Sequence, residues 1–303
     1  MADAVAVIGG AGFIGRAVVA ELERRGAVPL VVDRVGAVPL DLLAPDAAPR
    51  LTELLRTARV RAVVHLAARV DPHAGATERA AARRLHVEGT RVALGAARQS
   101  GAARFVLASS ATVYGAHPDN PVPLDESAPL RPNPYAYAED KLAQEDVVAR
   151  EGAGLSVAIA RPAIVYGAGA RSYLTEILTR APVLPALDGC RPPLQFAHVA
   201  DVAAALVELA RCDAVGAFNV APADWLSLDE VARLVDKRVL SVPSRLLAPL
   251  LDAGARLLPP HLRAPAAMVP YLKYPFVLSA RKLEQTTGWR PRASSADALR
   301  TIL

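Results

Sequence analysis

Tyr137 and Lys141 stand four residues apart in the run Pro134-Tyr135-Ala136-Tyr137-Ala138-Glu139-Asp140-Lys141. On a helix that spacing brings both side chains to one face. A phenol with an ordinary pKa near ~10 moves protons poorly at neutral pH. An ammonium beside it favours the phenolate, so Lys141 is expected to lower the Tyr137 pKa. Ser110 adds a hydroxyl able to hold a substrate oxygen while Tyr137 passes the proton. Such a trio suits proton exchange with a carbinol or carbonyl oxygen, the companion of hydride movement at a secondary alcohol carbon. Surface helices often carry a Tyr-x-x-x-Lys pair, so its meaning depends on what surrounds it.

A second set of residues supplies that setting. Gly9, Gly12 and Gly15 punctuate Gly9-Gly10-Ala11-Gly12-Phe13-Ile14-Gly15, directly after the apolar run Val5-Ala6-Val7-Ile8. Glycines at this spacing allow a tight turn, close approach of backbone to a pyrophosphate, and tight helix–strand packing. The helix that follows offers N–H groups and a positive dipole end to phosphate. Asp33 closes the next apolar run, where a carboxylate accepts hydrogen bonds from the adenosine ribose. It would repel a 2′-phosphate and so favours NAD over NADP, whereas Arg34 pulls the other way. Asp41 and Leu42 are read as flanking the adenine or, equally, as a loop Asp followed by a core Leu.

The elements needed to hold these residues are visible as alternating patterns. Strands are predicted at Ala4–Ile8, Val28–Val32, Ala62–His65, Arg104–Ala108 and Ser156–Ala160, and helices at Phe13–Arg25, Thr77–Gln99 and Tyr135–Arg150. Apolar strands separated by helices indicate a parallel sheet covered on both faces. The fold class is therefore α/β, a Rossmann-type doubly wound sheet with a smaller C-terminal substrate lobe. The nucleotide-binding part is assigned to residues 1–165 with 196–222 returning to it, and the lobe to 166–195 and 223–303. Helices are also expected at His198–Arg211 and Leu228–Val235, followed by a Pro/Leu-rich stretch from Val242 to Pro275.

Composition narrows the class further. Of 303 residues 52% are hydrophobic, enough for a sizeable core, and only 5% are aromatic, so Ala, Leu and Val must fill it. The net charge of +5 comes from Arg spread along the chain without a basic run, so no nucleic-acid partner is expected. Cys190 and Cys212 make neither a disulfide framework nor a metal spacing, and a reducing cytoplasm is expected. The start of the chain has no basic n-region or cleavage site and is not read as a signal peptide. No membrane span is expected, and Leu246 to Leu258 is read as an apolar strip packed within the small lobe.

With these residues in hand, the chain resembles the extended short-chain dehydrogenase/reductase family, also called the NAD-dependent epimerase/dehydratase family. The match is carried by the Gly9–Gly15 loop, His65-Leu66-Ala67-Ala68, Ser109-Ser110-Ala111-Thr112-Val113-Tyr114-Gly115, Tyr137 through Lys141, Arg161-Pro162 with Val165-Tyr166-Gly167, His198-Val199-Ala200-Asp201-Val202, Phe218-Asn219-Val220 and Gly288-Trp289-Arg290-Pro291. The resemblance implies that Ser110, Tyr137 and Lys141 form the catalytic trio. It implies that Leu66, Ala67, Ala68, Pro162 and Ile164 join the glycine loop with Phe13 and Ile14 around the cofactor. It also implies a homodimer formed through the helices Thr77–Gln99 and Tyr135–Arg150.

Four departures restrict the chemistry. Ala111 and Thr112 stand where sugar dehydratases of the family carry Asp-Glu, so dehydration is not expected. Ile164 replaces an Asn, and Leu194 or Gln195 an Arg, that hold sugar and diphosphate in nucleotide-sugar members. The stretch from Gly167 to Phe196 is short, which favours a smaller or more apolar substrate; Thr112, Ile164, Arg171 and Arg191 are the candidate substrate contacts. His86 replaces an Asn and is read as a structural hydrogen bond near the active-site strand, while His65 and His198 are read as scaffold. The expected function is an NAD-dependent oxidoreductase or epimerase acting on a secondary alcohol or ketone of a non-nucleotide substrate. The alternatives are a UDP-hexose 4-epimerase and, from another class, a non-catalytic NAD(P)-binding regulator.

Overall fold

The computed structural model describes residues 4–36, 38–70, 75–170, 172–245 and 266–303. Its centre is a six-stranded sheet in the order β2-β1-β3-β4-β5-β9, every pairing parallel. The strands are β1 (Ala4–Ile8), β2 (Pro29–Val32), β3 (Val60–His65), β4 (Arg104–Ala108), β5 (Ser156–Pro162) and β9 (Gly216–Val220). Five of them were expected from the apolar runs; β9, at the edge, adds the sixth. The chain leaves β1 towards one side and returns to the other at β3. That reversal opens a crevice at the carboxyl ends of the two strands, where open α/β sheets take ligands.

Alternation along the strands builds two cores. Val5, Val7, Val106 and Ala108 face one side, where they pack with Val18 and Leu22 of helix α1 (Phe13–Arg24) and Val202 and Leu206 of α6 (Val199–Arg211). Ala6, Ile8, Phe105 and Leu107 face the other, against Leu51 and Leu55 of α2 (Ala47–Thr57), Ala93 and Leu94 of α3 (Ala76–Ser100), and Val148 of α4 (Ala136–Glu151). Burial of both faces is why these strands read as continuous apolar runs.

A third cluster, to which helix α5 (Tyr173–Arg180) brings Ile177 and Leu178, forms the smaller lobe. Two short parallel pairs shape it: β6 (Ile164–Tyr166) with β8 (Phe196–His198), and β7 (Val183–Leu187) with β10 (Arg238–Val242). Tyr166 stacks on Phe196 at 5.1 Å between ring centroids, among Ile177, Leu184, Leu226, Val231 and Leu299. The C-terminal part of the chain also contributes to the sheet's packing. Val220, Leu278, Leu283 and Trp289 lie together in the first core, so residues 276–289 cross back onto the sheet. Trp289 secures the return by donating its indole N–H to the Asp201 carbonyl at 3.2 Å. No helix among the described residues is long and apolar enough to cross a membrane. The Leu246–Leu258 strip lies outside the described residues.

Candidate active site

The glycine loop fills the mouth of the crevice. Gly9 has φ +87, and a Cβ there would lie 2.7 Å from the Ala67 backbone nitrogen. A Cβ on Gly15 would collide with the Gly9 carbonyl oxygen. These two positions tolerate no side chain, because the loop, the end of β3 and the start of α1 share one small volume. Gly12 is the N-cap of α1 and gives no side-chain cap, so the first N–H groups of the helix receive no side-chain acceptor from it. Asp33 follows β2, and its carboxylate accepts from Ala11 N–H at 3.0 Å and Arg34 N–H at 2.7 Å. The arrangement fits a dinucleotide: glycines where the pyrophosphate backbone must approach, and a carboxylate fixed beside the loop for a ribose. Arg34 is exposed.

The remaining cofactor candidates divide into two groups. Leu66 and Ala67 continue β3 and are half-buried, with Ala68 exposed after them. Phe13 and Ile14 open α1, and Phe13 reaches towards Gly167, where an added Cβ would meet its ring at 3.4 Å. Pro162 ends β5, and Ile164 starts β6 two residues later. Asp41 differs: its carboxylate accepts from Leu43 N–H at 2.9 Å. Leu42 is buried in the second core. The pair therefore has the geometry of a loop Asp and a core Leu.

The candidate catalytic trio meets at the carboxyl end of β4. Ser110 follows that strand and caps a 3-10 turn, Ala111–Tyr114; its Oγ accepts from Thr112 N–H at 3.2 Å and from the Thr112 hydroxyl at 3.0 Å. Tyr137 and Lys141 occupy the first two turns of α4. Lys141 is buried, and its ammonium donates to the Ala108 carbonyl at 2.7 Å while lying 5.6 Å from the centre of the Tyr137 ring. The expected lowering of the Tyr137 pKa is not seen. Burial pushes the phenol up, the neighbouring Tyr135 adds to this, and only the Ser110 hydroxyl pulls it down. The physical reason is placement: the ammonium sits by the ring and bonds to β4, not to the phenol oxygen. Burial also brings Lys141 down to about 8, against the pull of Glu145 and Asp140.

The polar frame behind the trio was not anticipated. Glu145 lies one turn beyond Lys141 and forms a buried pair with Arg161 of β5, at 3.0 and 2.6 Å. Arg161 donates at 2.8 Å to the Tyr114 hydroxyl, which donates to Asn219 Oδ1 of β9, also at 2.8 Å. Tyr137, Lys141 and Glu145 recur every four residues, so a signal for Glu145 was present in the sequence. Tyr271, also missed, donates to the Thr112 carbonyl at 3.4 Å and meets the Phe276 ring edge-on. Nothing in the spacing of its Pro/Leu-rich stretch marks it.

The substrate candidates present little charge. Ile164 packs against the lobe cluster, and Leu194 pairs its backbone with Leu226. Gln195 is buried with its amide fully engaged, donating to the Pro222 and Leu278 carbonyls and accepting from Leu278 N–H. Arg191 is exposed and paired with Asp229. Arg171 lies outside the described residues. His65 and His198 hold scaffold positions: His65 Nε2 bonds the Thr90 hydroxyl at 3.1 Å, and His198 Nδ1 accepts from Ala200 N–H at the start of α6.

Comparison with known proteins agrees with this geometry. The chain is 31% identical over 226 residues to a protein named ceramide reductase from Caulobacter vibrioides, covering 70% of this chain and 62% of that one. It is 33% identical over 207 residues to UDP-glucose 4-epimerase from Azospirillum brasilense, covering 63% and 58%. It thus spans only about three fifths of the length of these two relatives. Among solved structures, MoeE5 in complex with UDP-glucose and NAD superposes with a TM-score of 0.74 at 26% identity, over 98% of this chain and 96% of that one. The sequence profile of the NAD dependent epimerase/dehydratase family matches residues 5–221, and the chain belongs to that family.

Proposed function

We propose that this protein is an NAD-dependent oxidoreductase or epimerase that works at a secondary alcohol or ketone carbon of a substrate lacking a nucleotide diphosphate. The convergence of Ser110, Tyr137 and Lys141 beside the glycine loop carries the reading. NAD would lie with its pyrophosphate on Gly9, Gly12 and Gly15 and its adenosine ribose on Asp33, and when bound it supplies the acceptor and donor of a hydride. The chain's own groups handle the proton. Ser110 orients the substrate oxygen and Tyr137 exchanges a proton with it. Lys141 is held on the Ala108 carbonyl, which leaves its other two N–H groups for a ribose, while its charge beside the Tyr137 ring favours the developing phenolate.

Charge weighs against a diphosphate. Two phosphates buried without a dedicated cation are costly, and the aligned positions offer Ile164, Leu194 and a fully bonded Gln195. The similarity to ceramide reductase fits an apolar substrate. The UDP-hexose 4-epimerase reading stands as the second, favoured by the relative from Azospirillum brasilense and the UDP-glucose complex of MoeE5. We also infer a cytoplasmic protein, from two unpaired cysteines. A homodimer through α3 and α4 is proposed as well, where Ala80, Leu142 and Ala143 line a groove together with charged residues of both signs, Arg83, Glu139 and Asp146 among them.

The test is turnover of a panel of secondary alcohols and ketones, followed by NADH absorbance and by chiral analysis of the product. Net absorbance change marks a dehydrogenase, and inversion without it marks an epimerase. Tight NAD binding with no turnover of any kind would leave a regulator in place of an enzyme.

A further inference from the structure

We propose that His86 is a positioning residue that joins the cofactor-facing loop after β3 to the catalytic helix α4, and that it does so only as the neutral tautomer protonated at Nδ1. The proposal rests on the NAD-dependent reading above and adds to it the device that fixes the two walls of the crevice.

Both ring nitrogens of the buried His86 are engaged. Nε2 lies 3.1 Å from the backbone N–H of Arg69, and Nδ1 lies 2.9 Å from Asp140 Oδ2. A backbone N–H can only donate, so Nε2 must carry the lone pair. The proton then belongs on Nδ1, where it is donated to the carboxylate. Arg69 follows Leu66-Ala67-Ala68, the segment that meets the glycine loop, and Asp140 immediately precedes Lys141. One imidazole therefore spans from one wall of the crevice to the other. Its ring also stands edge-on to Tyr137, with centroids 6.1 Å apart.

The surroundings favour the neutral ring. Burial lowers its pKa most, Asp140 pulls it back up, and Lys141 and Arg83 lower it further. Arg83 holds the other oxygen of Asp140 at 2.8 Å, so the carboxylate is already matched by a cation. Burial holds His65, on the sheet side, well below the ordinary imidazole range, at about 3. Between the two rings, the Thr90 hydroxyl donates to the His86 carbonyl and accepts from Gln144. An imidazolium would present an N–H to the Arg69 N–H and a third cation to Lys141 and Arg83. Acid should therefore release the loop and weaken cofactor binding.

The experiment compares wild type with His86→Gln and His86→Ala. A Gln side chain can accept from Arg69 N–H through Oε1 and donate to Asp140 through Nε2, yet it does not titrate. Nitrogen-15 NMR of histidine-labelled apoprotein identifies the His86 signals among six histidines by their loss in the variant, and the expected form is Nδ1–H. NAD affinity measured by calorimetry between roughly pH 5 and pH 7.5 should fall about tenfold on the acid side in wild type. In His86→Gln it should vary less than about twofold over that range. His86→Ala should bind weakly throughout, about fivefold or more below wild type at neutral pH. An Nε2–H tautomer, or an acid loss that persists in His86→Gln, would overturn the proposal. If wild type binds no NAD at any pH, the proposed function fails instead, and the tautomer alone then decides the role of His86.

Discussion

The two sides of the crevice are built from different materials. On the side of β1, β2 and β3, the site is made of backbone: glycines packed without room for a Cβ, a helix start without a side-chain cap, and a carboxylate bonded to the loop. On the side of β6 and β8, it is made of side chains already committed to one another: Tyr166 stacked on Phe196, Gln195 bonded on both ends of its amide, and the exposed Arg191 paired with Asp229. The first side can hold one kind of ligand and has little latitude to change. The second offers few charges, and on the proposed reading substrate choice lies there, since the same sheet can serve a different substrate when that side is rebuilt.

The largest effect is expected where the two sides meet. Tyr137→Phe should lower turnover by about 10³-fold or more while changing NAD affinity less than about twofold, because the hydroxyl moves a proton and does not anchor the cofactor. Lys141→Ala should damage both rate and affinity. Steady-state kinetics with calorimetry separates the two patterns, and equal loss of affinity in both variants would break the assignment of roles.

The next effect tests the backbone character of the first side. Gly15→Ala places a methyl group against the Gly9 carbonyl, so the loop must open. NAD binding should be lost, and stability should fall by about 1–3 kcal/mol in urea denaturation. A smaller effect is expected from Asp33→Asn, which keeps a bond to Ala11 N–H but removes the charge. NAD affinity should fall several-fold, and the preference over NADP should narrow. Unchanged preference would give that role to Arg34.

Near neutral pH the smallest effect is on stability against pH. His65 and His86 have folded pKa values below the ordinary 6.5, so the unfolded chain takes up protons that the folded chain refuses. Stability should therefore be highest above about 6.5 and decline as pH falls below it, with His65 contributing down to about 3. Thermal denaturation of His65→Gln should show a shallower acid decline than wild type.

The same contrast explains what the sequence discloses. Local rules govern the cofactor side: an apolar run, glycines at fixed spacing and an amphipathic helix place β1, the loop and α1 to within a residue. Helix α2 is absent from the expected elements; Pro49 lies in its first turn, where its missing N–H has no partner to lose. The lobe follows long-range rules. β7 and β10 pair across more than fifty residues, and neither carries a pattern that announces the other. Tyr271 reaches Thr112 from 159 residues away, so its place beside Ser110 follows only from the tertiary fold. The Glu145–Arg161 pair lies between these cases, with its helical spacing visible and its partner not.

The most direct measurement is calorimetric titration of UDP, UDP-glucose and UDP-galactose into NAD-loaded protein. No binding tighter than about millimolar is expected, since the side that would neutralise a diphosphate offers Ile164, Leu194 and Gln195. Low-micromolar binding of UDP-glucose that disappears in Arg191→Ala would contradict it, by showing that Arg191 leaves Asp229 for phosphate, and would establish the nucleotide-sugar reading in its place.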